Sequence, residues 1–126
     1  MNIPENLLYT DDHEWVKVDG DYAFAGITDY AQKELGDIVF VEVETVDEDL
    51  DQGESFGTIE AVKTVSDLFM PVSGRVVEFN GDLGSDPEVI NKDPYGDGWI
   101  IKIKMSDISE LDQLLNHTTY AKNIDG

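Results

Sequence analysis

The short β-forming runs of this chain, each cut off by a turn, constrain its fold most. Trp15-Val16-Lys17-Val18 meets Asp19-Gly20, and Tyr22-Ala23-Phe24-Ala25 follows. An Asp-Gly pair between such runs signals a hairpin, because both turn residues must tolerate positive φ. Ile38-Val39-Phe40-Val41-Glu42-Val43 reads as a strand, apolar at first and alternating later. Glu54 to Ala61 and Thr64 to Met70 read as a pair of strands. Pro71 and Gly74 then bend the chain before Arg75-Val76-Val77-Glu78-Phe79, Asn80-Gly81 turns it again, and Trp99 to Met105 alternates once more. Such a string of short strands predicts a β sandwich or compact barrel with minor helices.

The helical signals are few. Thr28 is placed to cap a short helix through Leu35, with Gly36 to end it and Lys33 at the negative end of its dipole. Asp107 and Glu110 have capping-box spacing, and Ile108, Leu111 and Leu115 share a helical face. These predict a terminal helix over about 107 to 115, docked on a β body. Asp47 to Gly53 reads as an acidic loop, and Asp82 to Gly98 as mostly loop. No linker or low-complexity tract divides the 126 residues, so a single domain over 1–126 is expected. Trp15, Phe40 and Trp99 are expected in the core.

Charge excludes several classes of function. Against 28 Asp and Glu stand only 8 Lys and Arg, for a formal net charge of -20. Nucleic-acid backbones and anionic membrane surfaces repel such a chain, whereas partners with basic patches are steered toward it. Solubility or adaptation to high salt is an equally good reading of the charge. Cysteine is absent, which removes disulfides, thiolate metal sites and a cysteine nucleophile. No apolar run approaches the roughly 18 residues of a membrane span, and the first residues lack an export signal's basic start. A soluble, intracellular, monomeric protein is expected, in a prokaryotic cytoplasm ahead of a mitochondrial matrix.

Metal and nucleophile chemistry find little support. A calcium loop starting at Asp47 would need glycine sixth, but Gly53 is seventh and Thr58 stands where a bidentate Glu belongs. His13 and His117 lie far apart with no cysteine to join them, so His13 is expected to pack or cap. Gly96-Asp97-Gly98 opens no helix and is not a phosphate-binding turn.

One side chain does carry chemistry. Lys63 falls within Ile59-Glu60-Ala61-Val62-Lys63-Thr64-Val65, at the expected tip of a hairpin, with Gly57 and Gly74 further out. A primary amine on a stiff bend is presented in one pose to a modifying enzyme, while its long stem stays free to swing. Glu60, three residues earlier, is placed to serve as a recognition charge for that enzyme. Read by itself, the motif leaves open an ordinary hairpin with a solvated lysine.

Glu-x-x-Lys in a β-turn, followed by the bend Pro71-Val72-Ser73-Gly74, resembles the attachment site of lipoyl and biotinyl carriers. Biotin carriers usually place Met on both sides of the lysine; Val62 and Thr64 here favour lipoate. Over almost its whole length the chain resembles the H proteins of the glycine cleavage system. The matching blocks are His13-Glu14-Trp15-Val16, Gly26 to Ala31, Leu35 to Val41, Gly57 to Asp67, Pro71 to Gly74, and Asn91 to Lys104 with Asp93-Pro94-Tyr95-Gly96-Asp97-Gly98-Trp99.

The resemblance implies a mainly β, lipoyl/biotinyl-type barrel-sandwich hybrid with lipoate on Lys63, attached by a lipoate ligase or lipoyl transferase. It implies a carrier that catalyses nothing itself. Its arm would visit a pyridoxal-phosphate glycine decarboxylase, an aminomethyltransferase and a flavin-dependent dihydrolipoamide dehydrogenase. It also implies a cleft on the carrier that shelters the aminomethyl-loaded arm, with Glu14 and Asp67 as acceptors for the amine. Asp12 stands where close relatives often have a serine, and so adds a third candidate. A lipoate-relay protein supplying other carriers would show the same motif, and a purely acidic binding module would leave the lysine bare.

Overall fold

The computed structural model describes residues 2–125, without the side chain of Asp125. Among the described residues, nine strands form two antiparallel sheets. They are β1 (Leu8–Tyr9), β2 (Glu14–Asp19), β3 (Tyr22–Ile27), β4 (Ile38–Glu42), β5 (Asp49–Leu50), β6 (Ser55–Ala61), β7 (Val65–Phe69), β8 (Gly74–Phe79) and β9 (Ile101–Met105). The larger sheet has the order β1-β2-β3-β9-β8-β5, and the smaller β4-β6-β7. The two sheets do not close into a barrel, so the sandwich reading holds and the closed form does not.

The core lies between the sheets. Ala23, Ala25, Val76, Ile101 and Ile103 from the larger meet Ile38, Val41, Phe56, Ile59 and Leu68 from the smaller. Alternation makes this possible, since every second residue of a strand faces the same side. A smaller cluster of Leu7, Tyr9, Trp15 and Tyr120 closes one end. There the Trp15 indole lies against Gly26, its cross-strand partner, and donates to Pro94 O at 2.9 Å. A side chain at Gly26 would occupy the space of that ring.

Helix α1 (Asp29–Leu35) matches its sequence signals. Thr28 Oγ1 accepts from Ala31 N, Gly36 at φ 81 returns its N–H to Gln32 O, and Lys33 reaches back to Asp29 at 3.7 Å. A short helix α2 (Val89–Lys92) interrupts the long loop, and Asn91 there binds three elements together. Its Oδ1 accepts from Ile38 N, while Nδ2 donates to Gln32 Oε1 and Gly36 O. That clasp fixes α1 relative to the start of β4.

Three expectations are corrected. Residues 108–113 form a 3-10 turn, and the terminal α-helix, α3 (His117–Asp125), begins only after it. Asp107 does cap, accepting from Ser109 N, but Glu110 does not complete the box. Its carboxylate instead accepts from the N–H and hydroxyl of Ser73, a partner 37 residues away. Tertiary bonding thus outweighs the local helical pattern. The acidic loop contains β5, whose Asp49 and Leu50 pair with Arg75 and Gly74. Phe40 is not in the core but 47% exposed. A β-bulge between Ile38 and Phe40 turns Val39 and Phe40 outward together, which strict alternation could not anticipate.

A lysine hairpin beside a carboxylate cleft

Strands β6 and β7 form the hairpin that carries Lys63. They pair Glu60 with Val65, Ile59 with Ser66 and Thr58 with Asp67. Ala61 N donates to Thr64 O at 2.8 Å, closing a turn over Val62 and Lys63. Neither turn residue has positive φ. Val62 N donates to Asp37 O at 3.1 Å, which ties the tip to the entry of β4. At the base, Gly57 lies so close to β4 that a Cβ would collide with the Glu42 carbonyl. The scaffold is held, and Lys63 at its end is exposed. Glu60 is also exposed, opposite Phe40 on one side and Val65 on the other.

Past the lysine, β7 runs along a cleft of about 310 Å³. The segment Asp12–Glu14 forms one wall. Tyr30, Ala31, Glu34 and Leu35 of α1 form a second. Ile59, Ser66, Asp67 and Leu68 complete it from the hairpin, with Ile27. Asp67 is four residues beyond Lys63, about 13 Å along an extended strand. Glu14, Asp67 and Asp12 therefore share one cavity, Asp12 and Asp67 exposed and Glu14 only 3% exposed. Among the described residues, no lysine or arginine lines it.

Glu14 is the unusual member. Its Oε2 accepts from Phe69 N at 2.7 Å, which joins β2 to the end of β7. Its Oε1 is buried and has no hydrogen-bond partner among the described residues. Burial raises its pKa to about 8; the Phe69 N–H opposes the rise, the nearby Asp12 charge adds to it, and the Thr10 hydroxyl opposes it least. A buried carboxyl oxygen without a donor is costly unless something enters to satisfy it. An entering cation with N–H donors would displace the proton that Glu14 holds below about pH 8 and pair with the carboxylate left behind, in a charge-assisted bond.

Sequence reasoning missed how the cleft wall is held. His13 has φ 64, a left-handed backbone that non-glycine residues seldom adopt, and this turns the chain into β2. His13 Nδ1 lies 2.9 Å from Tyr120 Oη of α3, and Tyr120 Oη lies 2.7 Å from Thr28 Oγ1. One hydroxyl thus joins a cleft residue, the cap of α1 and the terminal helix. The Tyr120 ring also stacks on Tyr9, with centroids 4.6 Å apart. The HEW block marked His13 for attention, but nothing in the sequence pairs it with a residue 107 positions away. Tyr120→Phe keeps the stack and deletes both bonds. It is expected to lower stability by about 1–2 kcal/mol and to loosen the His13 ring, read by urea unfolding and by the imidazole NMR signals.

An exposed lysine on a tight, braced hairpin, set on a small antiparallel sandwich, is the arrangement a swinging-arm carrier needs. The comparisons place it more narrowly. The family model described as "Glycine cleavage H-protein" matches residues 7–126, and the chain belongs to that family, whose members are lipoyl carriers. It is 56% identical over 126 residues to the glycine cleavage system H protein of Bacteroides thetaiotaomicron, covering 100% of both chains. It is 53% identical over 125 residues to that of Halothermothrix orenii, covering 99% of this chain and 98% of the other. The crystal structure of a glycine cleavage system H protein from Mycobacterium marinum matches with a TM-score of 0.89 at 41% identity, over 98% of this chain and 100% of that one.

Proposed function

We propose that this chain is a monomeric, cytoplasmic carrier that bears lipoate on Lys63 Nζ. In this reading it conveys the aminomethyl group of glycine among glycine decarboxylase, aminomethyltransferase and dihydrolipoamide dehydrogenase. It is a substrate of each and catalyses no step. Lipoate, when bound, supplies a dithiolane that accepts the group and is later reoxidised.

The observation that carries the reading is the buried, partnerless Oε1 of Glu14, in a cleft whose wall is the strand leading away from Lys63. The residues present fit the group. Lys63 offers an accessible amine, which reacts only when unprotonated. Glu60 lies on the same hairpin, where a modifying enzyme can read its charge. Ile27, Leu35, Ile59 and Leu68 supply apolar walls that displace water from whatever the cleft holds. Glu14, with Asp67 and Asp12, supplies acceptors for an ammonium group. Tethering also raises the local concentration of the carried group wherever the chain docks.

The test is reconstitution. The chain is incubated with lipoate, ATP and a lipoate ligase, its modified residue is mapped, and it is added to the three enzymes with glycine, tetrahydrofolate and NAD. Glycine-dependent NADH formation that requires the lipoylated chain is the expected result. No modification of Lys63, or no turnover with it modified, overturns the reading. A modified chain that only passes its lipoyl group to other carriers replaces it with a relay role.

A further inference from the structure

Of the seven large hydrophobic side chains that stand exposed among the described residues, four surround the lysine turn. Val39 is 48% exposed, Phe40 47%, Val62 70% and Val65 62%. Their grouping is built by the backbone. The bulge in β4 aims Val39 and Phe40 outward in succession. Phe40, Glu60 and Val65 then form one cross-strand row, neighbours in register across β4, β6 and β7. Val62 is held beside them by its N–H bond to Asp37 O. Bulges that re-aim side chains are common beside functional sites, and grouped exposed apolar residues mark interaction surfaces.

We propose that this strip is the docking surface for the enzyme that acylates Lys63, and that the partner presents an apolar hollow rimmed by lysine or arginine. The inference rests on the reading of Lys63 as the lipoylation site. Two arguments select the occupant. The first is charge. Asp37, Glu42 and Glu60 edge the strip, all exposed, and none is in an ion pair among the described residues. An incoming cationic rim finds these carboxylates unengaged, within a chain of net charge -20.

The second argument is reach. The bare amine stands on a four-carbon stem. The activated carbonyl must come to bonding distance of Nζ, so the enzyme that holds it must cover Val62 and Val65 and lie against the row behind them. Enzymes that later use the longer lipoyl arm are under no such constraint. The step itself balances. Neutral Nζ forms an amide bond to the carbonyl carbon of an acyl adenylate, the acyl–phosphate bond breaks, AMP leaves with the bonding pair, and the surplus amine proton passes to solvent.

Phe40→Ser combined with Val65→Thr tests the surface, with purified lipoate ligase and preformed lipoyl adenylate as donor. Both positions are exposed, so melting should match wild type within a few degrees. The KM for the carrier is expected to rise about tenfold, equivalent to ~1.4 kcal/mol, with kcat little changed. That pattern indicates lost docking rather than lost chemistry. Val18→Thr, exposed on the other sheet, should leave KM unchanged. An unchanged KM in the double variant, with wild type fully modified, overturns the docking surface and leaves the carrier reading intact. Wild type unmodified at Lys63 overturns the carrier reading, and this inference with it.

Discussion

Lys63→Arg is expected to fold as wild type does and never to gain the mass of a lipoyl group. The fold does not depend on the amine. Lys63 is exposed, and its Nζ is in no hydrogen bond or ion pair among the described residues. The hairpin is held instead by backbone bonds from Ala61 to Thr64 and from Val62 to Asp37. Arginine keeps the positive charge and a long stem, so docking should survive. What it loses is a nitrogen that can shed a proton, because a guanidinium stays charged under all working conditions. Intact mass after incubation with ligase, lipoate and ATP reads the result directly. Mass gain in the variant equal to wild type would show that another residue carries the group.

Glu14 should give the second large effect, in two separate assays. Folding moves this carboxyl from a pKa of 4.5 to about 8, chiefly by burial. Between those values the folded chain keeps a proton that the unfolded chain has lost. The folded state thus binds more protons there, and the Glu14 contribution to stability falls as pH rises. The slope is about 1.4 kcal/mol per pH unit, and the contribution levels off once pH passes the folded value. Glu14→Gln removes the titration and can still accept from Phe69 N. The difference between wild-type and variant unfolding energies in urea should therefore slope downward from pH 4.5 to about 8. Parallel curves would show that Glu14 is already ionised in the folded chain. In the loaded carrier, Glu14→Ala should speed spontaneous loss of the aminomethyl group about tenfold or more, the worth of one charge-assisted bond. Lys63 should remain fully modifiable, because the hairpin tip is untouched.

The features legible in the sequence were the ones set by neighbours in the chain. The β2–β3 hairpin (its turn at Gly20-Asp21, one residue later than the expected Asp19-Gly20), the Thr28 cap and Gly36 stop of α1, and the strand pair around Lys63 each depend on residues within a few positions. The features that escaped depend on distant partners. The 107–115 segment has a good helical face, yet Glu110 is drawn to Ser73 and the chain tightens into a 3-10 turn. Phe40 has the alternation of a buried strand residue, but the bulge at Val39 shifts the register and turns it out. Glu14, Asp67 and Asp12 came from family resemblance, and no local pattern distinguishes them from the chain's other acids. Their common cavity depends on β2, α1 and β7 converging. The burial that perturbs Glu14, and the Tyr120 bond that steadies its neighbour His13, belong to that convergence alone.

The lysine hairpin and the cleft differ in how much of the molecule each needs. The hairpin is assembled from residues 55–69 and braced by the neighbouring β4 and Asp37. The cleft draws on the segment before β2, on the cap of α1 and, through one phenolic oxygen, on the last helix of the chain. Loading and safekeeping can therefore fail independently. In the proposed reading, a chain frayed at its C-terminal end would still be charged with its cofactor by a ligase that sees only the hairpin and β4, and would then circulate as a leaky vessel, picking up cargo that it cannot keep from water.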